Sequence, residues 1–234
     1  MTDRPIPMNE DMVRALLEGR KTQTRRVINP QPYVDDMGNF RWNRRNFGQD
    51  SVGPKVQAIA SPLPCSKTKH VLCRHGGVGD RFYVRETARV LAVRGGIREI
   101  DIEYQADGTI ATVPYPSRLA PAPLGKCLAN GTYREASRIL LEIGDVRVER
   151  LQAISKDDAL AEGLKGITKD GKLVKYGIPD RDGYPGTDNT GWAWDQWCVN
   201  PVDAYKNLWK SIYGHGSWDA NPWVWRISFE RIAS

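Results

Sequence analysis

Cysteine and histidine are scarce in this chain, with four of one and three of the other among 234 residues. Cys65, Cys73, Cys127 and Cys198 are too few and too scattered for the disulfide framework of a secreted domain, so reduced thiols are expected. Long apolar runs are missing too: none approaches the roughly twenty residues that a membrane-spanning helix needs. The N-terminus has no apolar core of a signal peptide, and a cytoplasmic protein with no membrane partner is the expectation. Internal repeats and low-complexity segments are absent. Cys65, His70, Cys73 and His75 do crowd together. Their spacing fits no zinc motif, because Cys65 and Cys73 stand too far apart for a knuckle and no second pair follows. The segment reads as a Gly/Pro-flanked loop, and neither metal nor cofactor is expected.

What is present is an ordinary apolar fraction, 40%, beside 26% charged residues, enough for a substantial core in one domain spanning 1–234. Lys and Arg number 34 against 28 Asp and Glu, a formal charge of +6 that favours a polyanionic partner. Positive charge is densest at Glu18-Gly19-Arg20-Lys21-Thr22-Gln23-Thr24-Arg25-Arg26. Upstream, Asn9 is placed to cap a helix whose apolar face is Val13, Leu16 and Leu17, with Glu10 and Asp11 in its first turn. Gly19 ends that helix. Downstream, Thr22, Thr24 and Arg26 alternate with Gln23 and Arg25, the period of a strand, and Lys21 falls at the corner.

A threonine hydroxyl needs a base before it can attack, and a lysine amine serves only when its pKa falls toward neutrality. Burial and the neighbouring Arg20, Arg25 and Arg26 would both push it that way. Lys21 and Thr24 therefore form a candidate base and nucleophile. The same residues also suit a solvated basic turn that touches phosphate, and the spacing leaves both readings open.

Elsewhere, residues at about 29–66, 107–135 and 165–200 read as insertions with little periodicity. Within the first, Arg41, Trp42, Arg44, Arg45 and Phe47 mix basic and aromatic character as single-strand binders do, though such residues also pack over the ends of a fold. Within the last, Trp192, Trp194 and Trp197 suit either a flap with an aromatic tip or an anchor to the body. Phe82, Val84 and Glu86 share one strand face, which makes Glu86 a partner for an arginine or a site residue. Ile100, Ile102 and Tyr104 mark another strand, and Ile139 to Val148 a bent strand or two. Ser155 and Asp158 open a short helix that Gly163 stops, with Glu162 in its last turn, where the dipole disfavours a carboxylate. Pro201 opens a helix bearing Val202, Tyr205, Leu208, Trp209 and Ile212 on one face, and a closing strand carries Trp223, Trp225, Ile227 and Phe229.

The motif Gly19-Arg20-Lys21-Thr22-x-Thr24-x-Arg26 resembles the signature of the ASCH domain family, relatives of the RNA-binding PUA domains. The resemblance continues through 79–87, 136–143, 154–163 and 218–225, and over its whole length is greatest to the larger ASCH proteins of bacteriophages and prophages. At the first block and around Glu162 the chain also resembles much smaller bacterial amidohydrolases that deacetylate the exocyclic amine of acetylated cytidine. The resemblance implies an α+β fold: a small, mostly antiparallel PUA-like β-barrel flanked by about three short helices, with long irregular insertions. It implies Lys21, Thr24 and Glu162 as catalytic residues in one cleft, and Arg20, Thr22, Arg26 and Glu86 as substrate-binding. The implied substrate is an N-acylated cytosine or related base, in a modified nucleoside or in single-stranded RNA or DNA, with Arg41, Trp42, Arg44 and Arg45 on a nucleic acid. A non-catalytic RNA or DNA binding module, and a ribonuclease using the same cleft, are the alternatives.

Overall fold

The computed structural model describes residues 3–34, 40–42, 45–46, 57–58, 73–94, 98–119, 121–186 and 191–232, and for residues 34, 40, 42, 45, 46, 57 and 58 the backbone alone. The chain opens with β1 (Asp3–Pro7) and α1 (Glu10–Leu17). Asn9 caps α1 by accepting from the Met12 amide at 3.0 Å, and Val13 and Leu16 are buried, as the apolar spacing requires. After Gly19 comes β2 (Gln23–Val27). The segment at 29–66 contributes short strands β3 (Tyr33–Val34), β4 (Phe40–Trp42), β5 (Arg45–Asn46) and β6 (Gln57–Ala58).

Beyond it, β7 (Arg81–Arg85) leads into β8 (Ala88–Arg94), β9 (Glu99–Tyr104) and β10 (Ile110–Pro114). The last three form an antiparallel sheet in the order β10-β9-β8, over a small core of Ala88, Val90, Ile100, Ile102 and Tyr104. So the segment at 107–135 supplies a strand before it turns irregular. One long strand, β11 (Leu140–Arg150), absorbs a register shift between Ile143 and Asp145, around Gly144, which is why the sequence reads as bent. Then follow α2 (Lys156–Ala161), the hairpin β12 (Lys165–Thr168) and β13 (Val174–Gly177), α3 (Pro201–Tyr213) and β14 (Trp223–Ile232). None of the helices in the described residues is long and apolar enough to cross a membrane.

The main sheet runs β1-β7-β11-β14-β2, with β6 also paired to β11. It carries the larger core, in which Phe82, Val84, Leu141, Ile143, Val148, Trp225, Ile227 and Phe229 meet residues of α1 and α3. This corrects the expected PUA-like barrel: the fold is α+β with three α-helices and mixed sheets among the described residues, and no sheet closes on itself. Nor is the main sheet purely antiparallel, since β1 pairs parallel with β7 and β6 parallel with β11. The free edge of β1 gives a physical reason. Met8 donates its amide to Arg85 at 3.1 Å, so even-numbered residues point their N–H groups at β7 and odd-numbered ones point outward. Pro5 and Pro7 occupy the outward positions and have no N–H to offer. The described link from this edge to β2 is a side chain, Arg26 Nη2 donating to the Pro7 carbonyl at 3.0 Å.

The aromatics of the 165–200 segment hold it together. Trp197 is 2% exposed, donates its indole N–H to the Trp192 carbonyl at 2.9 Å and fills the space beside Gly177, where a Cβ would come within 2.6 Å of its ring. Trp192 packs, partly buried, against the larger core, which favours the anchoring reading for that residue, while Trp194 remains half-exposed.

Gly163 adopts φ +108°, and a Cβ there would meet the Ala15 Cβ at 3.0 Å and the Lys21 Cβ at 3.4 Å. Gly19 adopts φ +74° with open space around it. Gly19→Ala should therefore cost about 1–2 kcal/mol from backbone strain alone, and Gly163→Ala clearly more because α1 and Lys21 must also move. Denaturant unfolding of both variants checks this, and equal losses would contradict the packing argument.

Candidate active site at the Lys21 corner

Backbone bonds build the corner before any side chain is considered. Past Gly19 the chain turns so that the Lys21 amide donates to the Ala15 carbonyl at 3.0 Å and the Thr22 amide to the Ala161 carbonyl at 2.9 Å. A bridge forms between Lys21 and Glu162. Ser155 caps α2 by accepting from the Asp158 amide, and Glu162 closes the helix. The sequence motif is thereby fastened to the end of a helix 141 residues further on.

Lys21 and Glu162 are 4% and 3% exposed. The Lys21 Nζ donates to the Glu162 carbonyl at 2.9 Å and to its Oε2 at 3.1 Å. The other carboxylate oxygen, Oε1, accepts from Arg25 Nη1 at 3.0 Å. Arg25, with no exposed side-chain surface, also donates through Nε to Glu149 Oε1 at 2.8 Å. Its Nη2 lies 2.6 Å from Glu149 Oε1 and 3.2 Å from Asp158 Oδ2, ion contacts that fall off the line of its N–H bonds. Asp158 in turn meets Arg226 at 3.2 Å, and Arg226 reaches Asp145 at 3.1 Å. Burial pushes the Lys21 amine below its ordinary pKa; the Glu162 carboxylate pulls it back by charge and hydrogen bond, and the Arg26 and Arg25 charges push it down again, for a net fall. Burial works to raise Asp158, yet the Arg25 and Arg226 charges hold its carboxyl below the usual value.

Thr24 stands on β2 opposite Ile227, 4% exposed, and its hydroxyl makes no hydrogen bond to another described residue. The Lys21 amine bonds to Glu162 and not to the threonine. Arg26, on the same strand face as Thr24, reaches the Pro7 carbonyl. Arg20 donates to Glu18 at 2.6 Å and to the Gly163 carbonyl, and Thr22 is exposed, with its amide already engaged. Glu86 belongs to a different network: its carboxylate takes two bonds from Arg138, at 2.9 and 2.8 Å, and Arg138 also covers the Tyr104 ring at 4.1 Å. Arg41 is half-buried on β4; the side chains of Trp42 and Arg45, and all of Arg44, Cys65 and His70, lie outside the described residues. Among the described residues no group of three or more His, Cys, Asp and Glu is arranged to hold a metal.

The sequence left several members of this centre unassigned to it: Arg25 as the second holder of Glu162, Glu149, Asp158, Asp145, Arg226 and Tyr205. Arg25 lies in the buried start of β2, where Gln23, Thr24 and Arg25 are all enclosed, so its charge demands carboxylates. Tyr205 is 3% exposed, with the Arg25 guanidinium 5.9 Å from its ring centre, and its hydroxyl makes no hydrogen bond to a described residue. Burial first, and the Glu162 charge next, hold its phenol well above the ordinary range. An open cleft of about 380 Å³ lies alongside, lined by Thr22, Gln23, Asp158, Ala161, Arg226 and Ser228 among others.

Arg25 and Glu162 act on Lys21 with opposite signs, and that can be measured without any substrate. In a ¹H–¹⁵N NMR titration of the lysine side chains, Glu162→Gln should lower the Lys21 midpoint, because both influences that raise it disappear. Arg25→Gln should raise it, because one cation is lost and the whole carboxylate turns to the amine. The second variant should also lose about 3–5 kcal/mol of stability, since it strands buried carboxylates, whereas Arg25→Lys should restore part of both. Shifts of the same sign in the two glutamine variants would contradict the arrangement.

Set beside protein-family models, curated proteins and solved structures, the chain matches none of them.

Proposed function

We propose that this chain is an ASCH-type amidohydrolase that removes an acyl group from an N-acylated cytosine or related base, with Thr24 as nucleophile and Lys21 as its base. One observation carries the reading: a buried lysine amine, pushed below its ordinary pKa and fixed by Glu162, beside a strand whose Thr24, 4% exposed, bears a hydroxyl with no hydrogen bond to another described residue. In the reaction the Lys21 amine takes the Thr24 proton as the threonine oxygen bonds to the acyl carbon. The resulting ammonium returns that proton to the departing exocyclic amine as the carbon–nitrogen bond breaks. Water then hydrolyses the threonine ester by the same route in reverse. Glu162, whose two carboxylate oxygens go to Lys21 and Arg25, serves by holding the amine and stabilising the ammonium. The Thr22 amide is engaged elsewhere, so the donor for the oxyanion is sought in the remaining N–H groups of Arg26 or in the Tyr205 hydroxyl.

A phosphate grip at this corner has less support, because Arg20, Lys21 and Arg25 already donate to protein acceptors. The test is release of free base from a panel of N-acylated nucleosides, alone and within RNA, followed by chromatography. Thr24→Ala should abolish turnover. Lys21→Arg keeps the charge and cannot act as a base, so it should bind as wild type does and lose roughly 10²–10⁴-fold in rate. If wild type releases nothing across the panel while it and Lys21→Arg bind RNA alike, the hydrolase reading fails and the binding module stands.

A further inference from the structure

The basic charge left over by the Lys21 corner collects on the other side of β2, at the open mouth between β1 and β2. Arg4 and Met8 alternate with Pro5 and Pro7 along the first residues of the chain and so share a strand face, and Arg26 brings its guanidinium to this segment, 3.0 Å from the Pro7 carbonyl and 4.0 Å from the Met8 sulfur. The turn before β7 closes from below. Asp80 accepts from the Gly77 amide at 3.2 Å and lies 3.8 Å from Arg4 Nε, so the turn that carries Arg74 and His75 is folded against Arg4. Arg74 Nε lies 3.4 Å from His75 Nε2.

Two details mark this as a place with more positive charge than its acidic neighbour, Asp80, offsets. The Arg4 Nε is buried and makes no hydrogen bond, with Asp80 Oδ2 at 3.8 Å beyond hydrogen-bond reach, so the donor stands open to an acceptor. His75 faces Arg74 in its own turn, Arg26 from β2 and Arg4 from β1; burial first, then those three charges, push its imidazole down to about 4. The acidic neighbour placed here, Asp80, is already occupied by the turn.

We propose that Arg4, Arg26, Arg74 and His75 form an oxyanion site that takes the phosphoryl group of a nucleotide or of a nucleic-acid backbone. Arginine forks and an imidazole N–H are the donors that such a group asks for. The site also has a direction. Arg26 and Thr24 stand two residues apart on one face of β2, roughly 7 Å along the strand, so a phosphate at Arg26 sets the rest of a nucleotide beside Thr24. The site does not depend on Thr24 being a nucleophile, and its test involves no turnover.

The probe is inorganic phosphate, added at constant ionic strength while the ring resonances of the histidines are followed by NMR, with His75→Gln to assign the signal. The His75 resonance should move to saturation, and its pH midpoint should rise, because a bound anion offsets the three arginine charges. Exposed His215 should stay in place. Arg4→Gln and Arg74→Gln, both on part-exposed or exposed residues that should fold normally, should each weaken binding about tenfold, the loss of one charge-assisted hydrogen bond. A nucleoside 5′-monophosphate and a short single-stranded oligonucleotide then report a nucleotide or a backbone source, and the unphosphorylated nucleoside should leave His75 where it was. If no phosphate compound moves His75, or if the movement is the same in the two arginine variants, the proposal is overturned.

Discussion

The Glu162 carboxylate, buried and divided between a lysine and an arginine, is the contact on which the arrangement of this protein turns. A carboxylate out of water is costly unless every lone pair is met. Meeting this one draws in α2, which it terminates, the turn after α1, which supplies Lys21, and β2, which supplies Arg25. Arg25 then requires Glu149 on β11 and Asp158 on α2, and Asp158 requires Arg226 on β14. Charges from five elements are thus fixed relative to one another in one network. The lysine inside it stays near a carboxylate yet is held below its ordinary pKa, because burial, helped by the Arg26 and Arg25 charges, outweighs the pull of Glu162.

The open edge of the main sheet is the second constraint. Pro5 and Pro7 remove the donors that β1 would need in order to pair with β2, so the two edges meet through the Arg26 side chain. An open mouth results where a closed ladder would otherwise lie. Arg26 faces it from the Thr24 side of β2, and Arg4 and the 74–75 turn face it from the other, which joins the proposed phosphate site to the proposed chemistry through a single strand.

Much of this was legible in the sequence because it is written in local signals. The Asn9 cap, the Gly19 and Gly163 stops, the Ser155 start and the alternation in β7, β9 and β14 each follow from residues within a few positions of one another. The meeting of Lys21 with Glu162 was legible only through family resemblance, since periodicity says nothing about contacts 141 residues apart. β1 was missed because two prolines in five residues argue against a strand, and the position that tolerates them, a sheet edge, is a tertiary fact. The barrel was expected from the same resemblance and fails for the same two prolines. Arg25 was weighed only as a nearby charge, because nothing in Gln23-Thr24-Arg25 says that both faces of the strand are buried there.

The central claim, that the Lys21 corner activates Thr24 for covalent attack, is tested most directly by rapid quenching of the protein with an N-acylated nucleoside followed by peptide mass mapping. The account predicts one acyl group on the peptide that contains Thr24, absent in Thr24→Ala and greatly reduced in Lys21→Arg. Turnover accompanied by an acyl group on Lys21, or one that persists in Thr24→Ala, would contradict it.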